Sequence, residues 1–381
     1  MRVRHLPATF VALMPATFEA QSNPVDWRAV AARIVERMAP VRGERVLLVG
    51  VPGVADALVG PLRAAVSASG AIDLGAIAEG SDTPTAWSTD YVRELSTRSG
   101  AARDEFLRTV DVAVMMPGPT PSDPVYSAMQ RVLGTGRGRT VHFHWVGAYE
   151  LTGQPIPTTP DVAQLYQRAL LETDYRALAA RQQALEAALR RGGVRVTTPA
   201  GTDIRFRVGD RPVTKQDGDA SAARARVARN LIDREVELPA GAVRVAPVEE
   251  SVDGTIVFPP GVWSGERVEG LVLTFARGRV TAIQARVGRE AVERELTAGG
   301  DAARAFREFA LGLNPLLAIP AEGRRFIPYY GYGAGVVRLS LGDNSELGGN
   351  VRGPYTRWNF FPDATVTVAG EVWVRDGSLV R

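Results

Sequence analysis

Residues 335–361 read GVVRLSLGDNSELGGNVRGPYTRWNFF. The apolar alternation through Val337, Leu339 and Leu341 predicts a strand, and Gly342-Asp343-Asn344 a turn. A glycine-rich loop follows, and the aromatic run after Tyr355 predicts a second strand. The segment has the grammar of an active-site wall. Yet the polar residues that stand out in it are Arg, Asn, Ser and Thr, where metal ligands or a general base would be expected.

Working back from this hairpin, the same strand-and-turn grammar reaches residue 191. VRVTTPAGTDIRFRVG predicts two strands joined by a Pro-Ala-Gly turn, and AVRVAPVEESVDGTIVF and VEGLVLTFARGRVTAIQAR continue the pattern. A helix is expected at about 301–311, presenting Glu308 just before Gly312-Leu313-Asn314-Pro315. Before residue 190 the rhythm differs. A helix at 25–41 leads into the strand RVLLVG, and strands then alternate with helices near 88–110 and 124–134, up to TVHFHWVG. One long helix is expected over 161–191. The fold class expected is therefore an α/β N-terminal domain with a mainly parallel sheet, followed by a β-rich α+β domain. The boundaries expected are an arm at 1–24, the α/β domain at 25–190 and the β-rich domain at 191–381. Gly50-x-x-Gly53 lacks the three-glycine dinucleotide fingerprint and reads as a plain strand-to-helix turn.

With 381 residues, 45% hydrophobic and 23% charged, the chain has the balance of a globular protein. Its net charge of +3 is carried almost wholly by Arg, Lys215 being the only Lys. Arg alternates with Glu and Asp and forms no basic stripe, so no nucleic-acid partner is expected. No stretch reaches the roughly 20 apolar residues of a membrane helix, so no membrane partner is expected. Pro7, Pro15 and Glu19 argue against a signal peptide, and the location expected is cytoplasmic.

The chain has no cysteine, which excludes disulfides, zinc–thiolate sites and a cysteine nucleophile. Its three histidines, His5, His142 and His144, all precede residue 145. A histidine-ligated centre in the β-rich half therefore requires the first domain to reach over. His142 and His144 lie two apart on a predicted strand, as a chelating pair would, with Glu150 as the nearby candidate for a third ligand. Glu249, Glu250 and Asp253 flank a turn that reads as solvated rather than as a magnesium site.

LPAGAVRVAPVEESVDGTIVF, EFALGLNP and LSLGDNSELGGNVR resemble the C-terminal domain of the thermophilic aminopeptidases (aminopeptidase T, AmpS). They are also similar to that family's relatives, which include the iron-dependent 2,5-dihydroxypyridine dioxygenase. The resemblance implies a metallopeptidase fold, a homodimer, and a metal held by carboxylates and histidines. Carried over position by position, the family's ligands fall on Ala242, Glu308, Arg338, Ser345, Arg357 and Asn359, and only Glu308 is a ligand type. An arginine cannot give up its proton, so it replaces a metal's charge without its chemistry. Neither a metal nor a cofactor is then expected.

The resemblance extends to metal-less relatives that bind precursor peptides in ribosomal peptide natural-product biosynthesis of the crocagin type. It implies a catalytically inactive protein that binds a peptide in the former active-site groove, alongside modifying enzymes. The residues expected at the peptide are Arg338, Arg357, Glu308, Trp358, Asn359, Tyr355, Arg352, Tyr329 and Tyr330. The alternative is a metal-independent enzyme that uses Glu308 as base with Arg338 and Arg357.

Overall fold

A computed structural model describes residues 25–381, and the arm expected at 1–24, with His5, lies outside them. The chain builds a parallel-sheet N-terminal region and an antiparallel-rich C-terminal region, the mixed α/β class expected. The parallel sheet runs, in spatial order, Ile72–Ala78, Arg45–Gly50, Val112–Met115, Arg139–His142 and Glu235–Glu237. Its central strands are short apolar runs, as suits strands covered on both faces. The helix Trp27–Met38 opens the region. The Asp26 carboxylate caps it by accepting from the amides of Arg28 and Ala29, and Val30, Ile34 and Met38 face the core.

The last strand of that sheet comes from far along the chain. Glu235–Glu237 pairs in parallel with Arg139–His142, setting Glu235 opposite Thr140 and Glu237 opposite His142. A three-residue excursion of the later chain thus brings two carboxylates beside the histidines.

The single helix expected over 161–191 is two, Pro160–Glu172 and Tyr175–Arg191. Thr173 leaves helical geometry at ψ 127°, and Asp174 restarts the helix by accepting from the Ala177 amide at 2.9 Å. Periodicity carries across such a break because both helices bury apolar residues against the same core. Asp174→Ala is expected to cost about 1 kcal/mol of stability, the usual worth of an N-cap, read by urea denaturation.

The C-terminal region holds a five-stranded antiparallel sheet in the order Thr356–Phe361, Val337–Gly342, Phe306–Gly312, Ala242–Val245 and Thr214–Lys215. An eight-stranded sheet beside it includes the expected Val194–Thr197 and Asp203–Phe206 hairpin. Here the helix expected at 301–311 is corrected. Only Gly300–Ala303 is helical, and Phe306–Gly312 is a central strand, buried at every residue. Every residue is buried and a bulge between Phe306 and Glu308 interrupts the period, so the alternation that would have announced a strand is missing.

One face of the five-stranded sheet, with Val243, Val245, Phe309, Leu311 and Leu339, packs into the core, where Phe206 meets Phe309 at 5.4 Å between ring centroids. The two regions are joined by buried hydrogen bonds. Asn314 Nδ2 donates to Thr173 Oγ1 at 2.8 Å, and the Tyr329 amide donates to the Tyr166 hydroxyl at 3.0 Å. Among the described residues, no helix is long and apolar enough to cross a membrane.

Candidate functional site

A cavity of about 410 Å³ lies between the carboxyl ends of the parallel strands and the other face of the five-stranded sheet. Carboxyl ends of parallel strands are where open α/β sheets place their ligands. The cavity is lined from the first region by Tyr126, His142 and His144, and from the second by Glu235, Glu237, Arg244, Tyr330, Tyr332, Arg338, Glu346 and Trp358.

Register explains the sheet's contribution. Arg244, Ala310 and Arg338 lie side by side on adjacent strands, and Glu308 and Ser340 form the next rung on the same face. Glu308, fully buried, accepts from Arg244 Nε at 2.6 Å and from Arg338 Nη2 at 2.8 Å. A β-bulge at Arg307 turns this third guanidinium to the same side, where Nε lies 3.7 Å from Glu308 Oε2 and Nη2 pairs with Glu346. Arg244 also reaches Glu346, at 3.5 Å. Three arginines thus face two carboxylates, leaving one net positive charge on this wall.

Burial alone would raise the Glu308 carboxyl, but Arg244, Arg338 and Arg307 overcome it and hold it far below the usual carboxylate range. A depressed carboxylate contributes its full stability above its unfolded value, 4.5, and loses it as pH falls through the folded value. Acid unfolding of the protein is therefore expected to steepen below pH 4.5, and Glu308→Gln to flatten that limb in a circular-dichroism titration.

The opposite wall is acidic. His142 Nδ1 lies 3.7 Å from Glu237 Oε1, and Nε2 lies 3.8 Å from Glu235 Oε1. Burial disfavours the charged imidazole, but the two glutamates prevail and raise the His142 pKa. His144, buried and beside His142, is pushed down to about 4. Burial would raise Glu237, yet His142 draws it down to about 2. Burial raises Glu235.

The family model for thermophilic metalloproteases (M29) matches residues 172–321. Among solved structures, 2,5-dihydroxypyridine dioxygenase from Pseudomonas putida KT2440 is similar at 19% identity, over 94% of this chain and 98% of its own, with a TM-score of 0.62. AmpT from Thermus thermophilus is similar at 17% identity, over 93% and 99%, with a TM-score of 0.59. The fold is AmpT-like. No curated protein sequence matches the chain.

The residues at the expected M29-type ligand positions do not fit a metal. Glu308 is the sole carboxylate or imidazole among them, and two arginines already occupy its oxygen Oε1. A structural or hydrolytic site needs three or more protein ligands. Ala242 is buried in its strand, and Ser345 spends its hydroxyl on Asp343 at 2.6 Å.

Of the residues expected at a peptide, Arg338, Tyr330 and Trp358 line the cavity. Arg357 and Asn359 do not. They pair with Leu341 and Leu339, so they share the core face, while Trp358 and Phe360 share that of Ser340 and Arg338. Arg357 instead bonds Glu295 at 2.8 Å and lies over the Trp263 ring at 3.6 Å. The one-residue parity of a strand decides this. Tyr355 donates to Glu295 at 2.8 Å on that same side, and Arg352 is exposed. Tyr329 is fully buried and does not line the cavity, its hydroxyl lying 2.7 Å from the Leu238 carbonyl and 3.0 Å from Glu237 Oε2. Glu150 pairs with Arg324 rather than with the histidines.

Sequence reasoning missed Arg244, Glu235, Glu237, Arg307 and Glu346. Arg244 was within reach, since it sits two residues past Ala242 and must share its face. Nothing local in REVELP announces that its glutamates meet residues 142 and 144.

Proposed function

We propose that this chain binds the end of a peptide in the cavity and performs no peptidase chemistry at Glu308. The observation that carries this is the Glu308 cluster. The carboxylate is spent on Arg244 and Arg338, and the wall keeps one net positive charge without a metal. A peptide carboxylate, terminal or from an acidic side chain, is the complementary group.

Two further features support a carbonyl-rich or carboxylate ligand. Arg338 Nε and Trp358 Nε1 are buried without acceptors, on side chains that line the cavity. An orphaned buried donor costs about 1–3 kcal/mol, which a ligand oxygen would relieve. Tyr330, Tyr332 and Trp358 add aromatic walls, the Arg338 guanidinium lying 4.6 Å from the Trp358 ring centroid. At about 410 Å³ the cavity suits a few residues rather than a long extended segment.

The likeness of the C-terminal motifs to metal-less peptide-binding relatives supports a ribosomally made precursor peptide as the ligand. Glu308 as general base has no support in this geometry, since it is fully buried and does not line the cavity. Isothermal calorimetry with candidate precursor peptides, followed by mass spectrometry of the recovered peptide, tests the function. Binding with an intact peptide is expected, and a shortened or cyclised peptide would overturn it.

A further inference from the structure

We infer that His142, His144 and Glu237 form a binding site for one first-row transition-metal dication, on the wall opposite Glu308. The three residues each offer one ligand atom, all within 4.8 Å of one another, the one such group of three among the described residues. Both histidines and Glu237 line the cavity, so an ion bound there would keep positions open toward it.

The donors converge. His142 Nδ1 and His144 Nε2 point at one atom, the Tyr126 hydroxyl, at 3.2 and 3.5 Å. Glu237 Oε1 lies 3.7 Å from the same His142 nitrogen. Ligands held at about 2.0–2.2 Å from a common ion sit roughly 3–4 Å apart, so small side-chain rotations close the set.

Outer contacts of the kind that orient metal ligands are already made. His142 turns Nε2 toward the Thr140 hydroxyl at 3.0 Å and toward Glu235, acceptors for an Nε2 proton, so that an ion would take the place of the proton on Nδ1, which faces the cavity. The Tyr329 hydroxyl proton is shared between the Leu238 carbonyl at 2.7 Å and Glu237 Oε2 at 3.0 Å, and Glu237 Oε1 is left toward His142. Glu237 sits opposite His142 in the strand register, so backbone pairing holds carboxylate and imidazole together. Two imidazoles and one carboxylate select zinc, cobalt or iron dications over magnesium or calcium, which prefer all-oxygen shells.

The inference is independent of the peptide proposal, because its probe is the metal alone. Tag-free protein stripped with chelator is titrated with Co²⁺, read by visible absorption, and with Zn²⁺, read by calorimetry. One equivalent of each is expected, with no competition from Mg²⁺. His142→Ala and Glu237→Gln are expected to weaken binding at least 100-fold, and Arg357→Ala, on the core face of the sheet, to leave it unchanged. No binding of either ion, or binding indifferent to the His142 and Glu237 variants, overturns the site. Should those variants fail to fold, X-ray absorption of the zinc-loaded wild type decides. Two imidazole nitrogens and a carboxylate oxygen support the site, and a shell without imidazole refutes it.

Discussion

Glu308→Gln is expected to destabilise the protein by about 3–5 kcal/mol, the cost of stripping a buried charge network of its counter-ion. The substitution keeps the shape of the side chain and removes its charge. Arg244 and Arg338, 5% and 1% exposed, then face each other with no carboxylate between them. Neither can shed its proton, so the strain cannot be relieved by titration. Glu346, the remaining acid of the cluster, already serves Arg307 and reaches Arg244 only at 3.5 Å. Chemical denaturation of the two proteins side by side measures the loss. A catalytic carboxylate poised in an open cleft would behave in the opposite way, its replacement sparing stability and abolishing turnover.

The second large effect falls on Arg338. Arg338→Ala is expected to weaken binding of a carboxylate-bearing peptide by about 2–4 kcal/mol, roughly 30- to 1,000-fold, because the lost partner is desolvated. Part of that cost is Glu308, which keeps Arg244 but loses its contact at 2.8 Å. Arg357→Ala is the contrasting variant. It removes the contacts to Glu295 and Trp263 beneath the sheet and is expected to lower stability while leaving peptide affinity unchanged. Calorimetry on both variants separates the two arginines, which the sequence presents as equivalent.

Why they looked equivalent is a matter of strand parity. GVVRLSLG and TRWNFF are legible as strands from alternation and aromatic content, and both form as expected. Which of their residues turn to the cavity depends on a register set by the loop between them, and one residue of slip exchanges Arg357 for Trp358. The parallel sheet was likewise legible, because its strands are short apolar runs alternating with amphipathic helices. Phe306–Gly312 was not, since every residue is buried and the bulge that turns Arg307 to the side of Glu308 breaks the period of two. The acidic wall was hidden for a different reason. Glu235 and Glu237 meet His142 only because a short stretch of the later chain joins the edge of the first sheet, a contact between residues more than 90 positions apart. The histidine pair was visible, and its third partner was not.

The most direct test is calorimetry with a matched pair of short peptides, one carrying a free carboxylate and one with every carboxyl amidated. The cavity described here predicts at least tenfold tighter binding of the free acid, loss of that preference in Arg338→Ala, and recovery of the peptide intact. Equal affinity for the two peptides, or a peptide returned shortened, would contradict it.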